Sequence, residues 1–259
     1  MTQAWGSHMK HLTICNGLTT VLVGSRAAAL DRLSMLPGVR VPPYFCLLAQ
    51  DGRPSESDAG LAGAYRQLGR CFGEAEPLVS VRLAKASSAG GRAPYAGVRG
   101  LAALVKAIGC LRGADAVRAK DGHTAEPGAG ERLTLGTPVI VQRMVDEPAS
   151  LGMVSTAPTA AIAIYAVPYR RPPGAGKRGA TATAWMFKLP TGTLVKRHGG
   201  GSEQEALDAD TILELVMQAR CIGAQFADRW QVPALELEFT VDRRGSIFYT
   251  QVRPGAVIH

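Results

Sequence analysis

Four side chains near the end of the chain stand at the spacing two paired strands would bring together: Glu236 and Glu238, then Gln251 and Arg253. Side chains on an extended strand alternate between faces with period two, so each couple shares one face. If residues 235–241 and 246–252 pair in register around Asp242-Arg243-Arg244-Gly245, a carboxylate, an amide oxygen and a guanidinium meet. Carboxylate and amide oxygens are hard donors of the kind Mg²⁺ takes, and a fixed guanidinium suits phosphate through two parallel hydrogen bonds. Arg82, at the mouth of residues 79–83, is a second guanidinium of the same use. Charged residues on one face of a terminal hairpin can equally form a solvated surface, and the pattern alone leaves both readings open.

The bulk properties narrow the partners. The formal charge of +8 favours an anion without choosing among nucleotide, nucleic acid and phosphate ester. The positive residues are scattered, and aromatic residues are 6% of the chain, so no stacking platform for a nucleic-acid strand is visible. No apolar run approaches the roughly 20 residues a membrane span needs. The N-terminus has no basic segment followed by an apolar one, and the five cysteines form no C-x-x-C pair, so a cytoplasmic protein is expected. Gly6-Ser7-His8-Met9 is identical to a common cloning remnant, so residues 1–9 are set apart as a tag or an unstructured N-terminus.

The elements that must position these side chains read as alternating strands and helices. Residues 18–23 form a β-rich run ending at Gly24, and 25–36 a helix stopped by Pro37-Gly38. Strands follow at 46–49 and 79–83, with a helix over 58–72 between them and a loop of small residues over 84–97. Residues 99–119 carry Leu101, Leu104, Val105, Ile108 and Leu111 at helical spacing. A glycine-rich stretch at 121–131 precedes strands at 139–145 and 162–167. Residues 170–179 are a basic loop rich in breakers, and 181–188 with 193–197 form a hairpin. After a glycine link at 198–202, Ser202 or Asp208 caps a helix running to about Trp230. This order predicts an α/β or α+β protein of two lobes.

Several segments, in order, resemble the nucleotide-binding domain of pyruvate phosphate dikinase and phosphoenolpyruvate synthase. Gly24-Ser25-Arg26-Ala27-Ala28-Ala29-Leu30 is similar to that family's G-G-K-G-x-N-L motif, and Val41-Pro42-Pro43-Tyr44-Phe45 to its V-P-P-G-F strand entry. Val81-Arg82 matches its V-R-S motif, and Gly136 to Val145 resembles its V-x-V-Q-x-M-V strand. Glu238-Phe239-Thr240 and Gln251-Val252-Arg253-Pro254 fall on its closing D-I-E-[FW] and L-Q-x-R-P signatures.

The resemblance implies an ATP-grasp fold, α/β (α+β), with two lobes and the nucleotide cleft between them. The N-terminal lobe would cover 10–135 and include the phosphate lid; the C-terminal lobe would cover 136–259, with the adenine hinge and the metal-binding hairpin. It implies ATP and Mg²⁺ as cofactors. Glu238 and Gln251 would hold the metal, and Arg82 and Arg253 the phosphates, with Arg26 standing where the family has its phosphate-binding lysine. Backbone groups of Gln142, Arg143, Met144 and Val145 would bind adenine, and Gly90-Gly91 would give the lid its play.

Departures from the pattern are equally specific. Arginine replaces lysine at Arg26, Ser25 replaces a glycine, and Leu83-Ala84 and Pro94-Tyr95 replace small polar pairs of the lid. The acidic W-G-L-G-E loop is replaced by residues 165–171, and the phosphohistidine motif T-x-G-G-x-x-x-H is not found. His198, ahead of Gly199-Gly200-Gly201, has the wrong order for that motif and reads as a linker residue. The expected function is an ATP-dependent, dikinase-type phosphotransferase that hands phosphate to a histidine on a separate protein or to a small molecule. The alternative is a catalytically degenerate nucleotide-binding subunit that complements a fuller homologue; an interaction module without nucleotide is the third reading.

Overall fold

Apolar residues recur at every second position along several of the strands, and the described residues form two antiparallel sheets. The computed structural model describes residues 12–13, 24–48, 54–70, 72–84, 94–120, 137–157, 161–169, 183–188, 191, 193–198, 206–232 and 234–255. Two units divide the chain: Met1–Asp31 with Pro43–Met144, and Arg32–Pro42 with Val145–His259. In order, the described elements are β1 (Leu12–Thr13), α1 (Ser25–Ser34), β2 (Tyr44–Leu47), α2 (Ala59–Arg70), β3 (Val79–Leu83), β4 (Tyr95–Val98), α3 (Leu101–Lys120) and β5 (Val139–Arg143). There follow β6 (Pro148–Ala157), β7 (Ala161–Pro168), β8 (Thr183–Lys188), β9 (Thr193–His198), α4 (Ala209–Trp230), β10 (Leu235–Asp242) and β11 (Ile247–Pro254).

The first unit's sheet runs β1-β2-β5-β3-β4. One face carries Phe45, Leu47, Val79, Val81, Val139 and Val141, which form a core with Leu61, Tyr65 and Leu68 of α2 and Leu104, Ile108 and Leu111 of α3. Helix α2 starts where Asp58 Oδ1 accepts the Gly60 and Leu61 N–H groups at 2.9 and 3.0 Å. The buried Tyr65 hydroxyl donates to the Pro77 carbonyl and accepts from the Gly100 N–H, each at 2.8 Å, which fastens α2 to the entries of β3 and α3. Burial pushes the Tyr65 phenol above its ordinary value.

The second unit's sheet runs β11-β10-β6-β7-β8-β9. Its rear face buries Leu237, Phe239, Val154, Ile162, Ile164, Trp185 and Phe187, and α4 contributes Leu215, Ala219, Ile222 and Phe226. Two glycines set the approach distances. A Cβ on Gly152 of β6 would fall 2.3 Å from the Phe239 ring and from the Tyr165 carbonyl oxygen, and one on Gly223 of α4 would fall 2.7 Å from Thr156 Oγ1. Asp208 caps α4, its carboxylate accepting from the Thr211 N–H at 2.7 Å. Hydrogen bonds from the Thr211 backbone and hydroxyl hold that carboxyl below the usual carboxylate range.

Most sequence-based elements appear with shifted ends, and a few differ in kind. Strand β2 begins at Tyr44, two residues ahead of the expected 46–49. The expected loop over 84–97 contains β4 at its end, a mostly exposed edge strand whose Gly97 takes φ +75°, so it lacks the apolar alternation that marks a strand. Strand β6 had no counterpart among the expected strands, although it pairs with both β10 and β7. The division after Met144 differs from the expected boundary at 136, because β5 pairs with β2 and β3 and so completes the first unit's sheet. The expected strand at 18–23, the glycine-rich stretch at 121–131 and the basic loop at 170–179 lie outside the described residues, as does Ser202.

Candidate functional site

The β10–β11 hairpin pairs in the register the alternation requires. Glu238 stands opposite Gln251, and Glu236 opposite Arg253. The turn between the strands is built by Asp242, whose Oδ1 accepts the Arg244 and Ser246 N–H groups at 2.9 and 2.8 Å, with Gly245 at φ +78°. The register shifts between Glu238 and Phe239, where Thr250 is the extra residue; Glu238 pairs with Gln251 while Phe239 pairs with Tyr249. That irregularity lets Phe239 and Tyr249 face the core while Glu238 and Gln251 share the other face.

The four side chains are not equivalent. Glu238 is partly buried, and its carboxylate has no hydrogen-bond or ion-pair partner among the described residues. Gln251, directly across, is 6% exposed. One pair further along, Arg253 Nε donates to Glu236 Oε2 at 2.5 Å, and its other arm lies 3.9 Å from Met153 Sδ. Met153, on β6, is the cross-strand neighbour of Glu238 on the side away from Gln251. The register thus sets Glu238 and Gln251 opposite each other. Arg253 shares their face but is engaged by the other acid of β10.

In the first unit, Arg82 and Gln142 lie on the face of the sheet opposite the apolar core. Ser80 stands opposite Gln142 and Arg82 opposite Ile140, which sets the two long side chains diagonally across β3 and β5. Arg82 Nη2 donates to Gln142 Oε1 at 2.7 Å. Arg26 is brought to the same strand end: its N–H donates to the Ala84 carbonyl at 2.9 Å, and its guanidinium reaches the Leu83 carbonyl at 3.5 Å. Gly24 permits this approach, since it takes φ +81° and a Cβ there would meet the Ala84 oxygen at 2.8 Å.

The expected adenine segment is largely occupied by its own sheet. The Arg143 N–H donates to the Pro43 carbonyl at 2.9 Å and the Met144 N–H to the Leu78 carbonyl at 2.8 Å. Gln142 is flanked on both sides by the ladder, opposite Tyr44 and Ser80. The Arg143 side chain, 4% exposed, pairs with Glu74 at 3.2 Å and lies over the Phe72 ring at 3.6 Å. These contacts engage the Arg143 and Met144 N–H groups within the first unit and make Arg143 a structural clamp. Val145 belongs to the second unit, at the start of its longer stretch. Gly90 and Gly91 lie outside the described residues.

Among the described residues no group of three or more His, Cys, Asp or Glu is arranged for a metal ion. One unpartnered carboxylate with an amide beside it still fits Mg²⁺, which keeps several waters and is commonly held by one or two carboxylates plus substrate phosphates. Among the described residues, no helix is long and apolar enough to cross a membrane.

No family model matches the chain, and no curated protein matches it. Solved structures align with much of the chain. The D-alanine-D-alanine ligase from Coxiella burnetii aligns over 87% of this chain and 44% of its own at 10% identity and a TM-score of 0.42. The macrocyclase MdnC from Microcystis aeruginosa, bound with its precursor peptide, aligns over 90% and 52% at 10% identity and a TM-score of 0.43. The carboxyaminoimidazole ribonucleotide synthase from Aspergillus clavatus, complexed with ATP, aligns over 87% and 42% at 9% identity and a TM-score of 0.42. The chain thus spans about half the length of the structures it matches, and likenesses at this level assign it neither activity nor ligand.

Proposed function

We propose that the chain is an ATP-grasp protein that binds Mg-ATP and moves a phosphoryl group from it, in the manner of the dikinase nucleotide domains. The observation that carries this reading is the Glu238–Gln251 pair: a carboxylate unpartnered among the described residues and a buried amide on adjoining strands, flanked by a guanidinium. Glu238 and Gln251 would supply oxygen to Mg²⁺, whose charge offsets that of the transferring phosphate oxygens. Arg253, on the same hairpin, would hold a phosphate oxygen, and Arg82 and Arg26 are the further arginines that the resemblance assigns to phosphate. Phosphoryl transfer asks for positioning and charge neutralisation more than covalent chemistry, so a site made of arginines and one metal-binding acid suffices. The acceptor would be a histidine of a separate protein or a small molecule.

A second reading, a nucleotide-binding subunit without turnover, is favoured by the engagement of Arg253 with Glu236 and of Arg26 with the Leu83 carbonyl. Saturating Mg-ATP should raise the melting temperature by several degrees, because a ligand at a hundred times its Kd stabilises the folded state by about 2.7 kcal/mol. Glu238→Gln should abolish the magnesium-dependent part of that shift while leaving the melting temperature of the free protein unchanged. A shift that survives Glu238→Gln would show the metal assignment to be wrong. A shift without production of ADP or AMP, with candidate acceptors present, would select the second reading.

A further inference from the structure

Gln142 was expected to meet adenine through its backbone, yet that backbone lies between two ladder partners while its side chain points at Arg82. We infer that Gln142 is a positioning residue whose amide oxygen fixes the Arg82 guanidinium in the attitude that receives a phosphate oxygen. The inference rests on the nucleotide reading above.

Both groups are buried, Gln142 at 1% and Arg82 at 8% exposure, and the bond between them is 2.7 Å. An arginine side chain has many rotamers, and a ligand that needs it in one geometry must supply that ordering unless the protein already has. An amide oxygen can do so without altering the charge a phosphate would feel. A carboxylate at the same place would hold the guanidinium as firmly and cancel part of its charge. The molecule offers the contrast in Arg143, where a carboxylate and an aromatic face hold the guanidinium as a structural clamp. The bond geometry also fixes which edge of Arg82 is taken: Nη2 faces Gln142 across β3 and β5.

The test measures Mg-ATP and adenosine binding by calorimetry for the wild-type chain, Gln142→Leu, Arg82→Met and the double variant. Loss of a hydrogen bond to a charged group predicts about a tenfold weaker Mg-ATP affinity for Gln142→Leu. Adenosine binding should not change, and the double variant should bind Mg-ATP no more weakly than Arg82→Met alone. An unchanged Mg-ATP affinity in Gln142→Leu, an equal loss for adenosine, or losses that multiply in the double variant would each overturn the positioning role. A wild-type chain that binds no Mg-ATP removes the nucleotide reading and this inference with it, whereas wild-type binding with an indifferent Gln142→Leu removes the inference alone. Should Gln142→Leu fail to fold, Gln142→Glu decides: it retains an acceptor but adds charge, so Mg-ATP must weaken relative to adenosine, and equal binding of both would overturn the assignment.

Discussion

Arg82 and Arg253 come from the same kind of motif, an arginine near the end of a strand, yet the two units treat them differently. Arg82 is 8% exposed and bonded to an amide, whereas the Arg253 side chain is 44% exposed and bonded to a carboxylate. A buried guanidinium must have its hydrogen bonds supplied by the protein, because water cannot supply them. An exposed one trades partners at little cost. Arg82 is held by its sheet, whereas Arg253 is a surface group paired with Glu236.

The comparison depends first on the sheet that presents β10. Gly152 allows β6 to lie against the Phe239 ring, and no side chain fits there without displacing the ring or the Tyr165 carbonyl. Gly152→Val should therefore destabilise the second unit by about 3 kcal/mol or more, measured by denaturant unfolding. If that variant unfolds like the wild type, the rear packing does not hold the charged face in place.

A smaller loss separates the two arginines directly. Arg82→Met removes a charged donor and leaves the buried Gln142 oxygen without this bond, so a cost of about 2 kcal/mol is expected in unfolding experiments without ligand. A neutral outcome would mean that Arg82 is not held as tightly as its bond to Gln142 indicates.

What could be read in the sequence tracks how local the physics is. The β10–β11 hairpin was legible because charge alternates with Leu235, Leu237 and Phe239 and because Asp242 and Gly245 mark the turn. The helices were legible from apolar spacing, and Asp208 was one of two caps considered. Strand β6 was not legible: Pro148, Ala149, Ser150, Gly152 and Ser155 have weak strand preference, and they are extended only because β10 and β7 flank them. Its absence from the sequence reading hid Met153 beside Glu238. The engagement of the Arg143 and Met144 N–H groups was hidden for a similar reason, since their acceptors, Pro43 and Leu78, stand 100 and 66 positions away in sequence. The role inferred for the Gln142 side chain left no local signal either, because its partner stands 60 positions earlier.

The smallest predicted effect is the sharpest statement about Arg253. Exposed ion pairs contribute between nothing and about 1 kcal/mol, since the Coulomb gain is screened and two side chains lose freedom. Arg253→Ala should then lower stability by under about 1 kcal/mol, and the difference from the wild type should shrink as salt is raised to 1 M. A loss as large as that for Arg82→Met, or one indifferent to salt, would mean that Glu236 and Arg253 form a structural lock. Arg253 would then be unavailable to phosphate, and the proposed phosphate role would fall to Arg82 and Arg26.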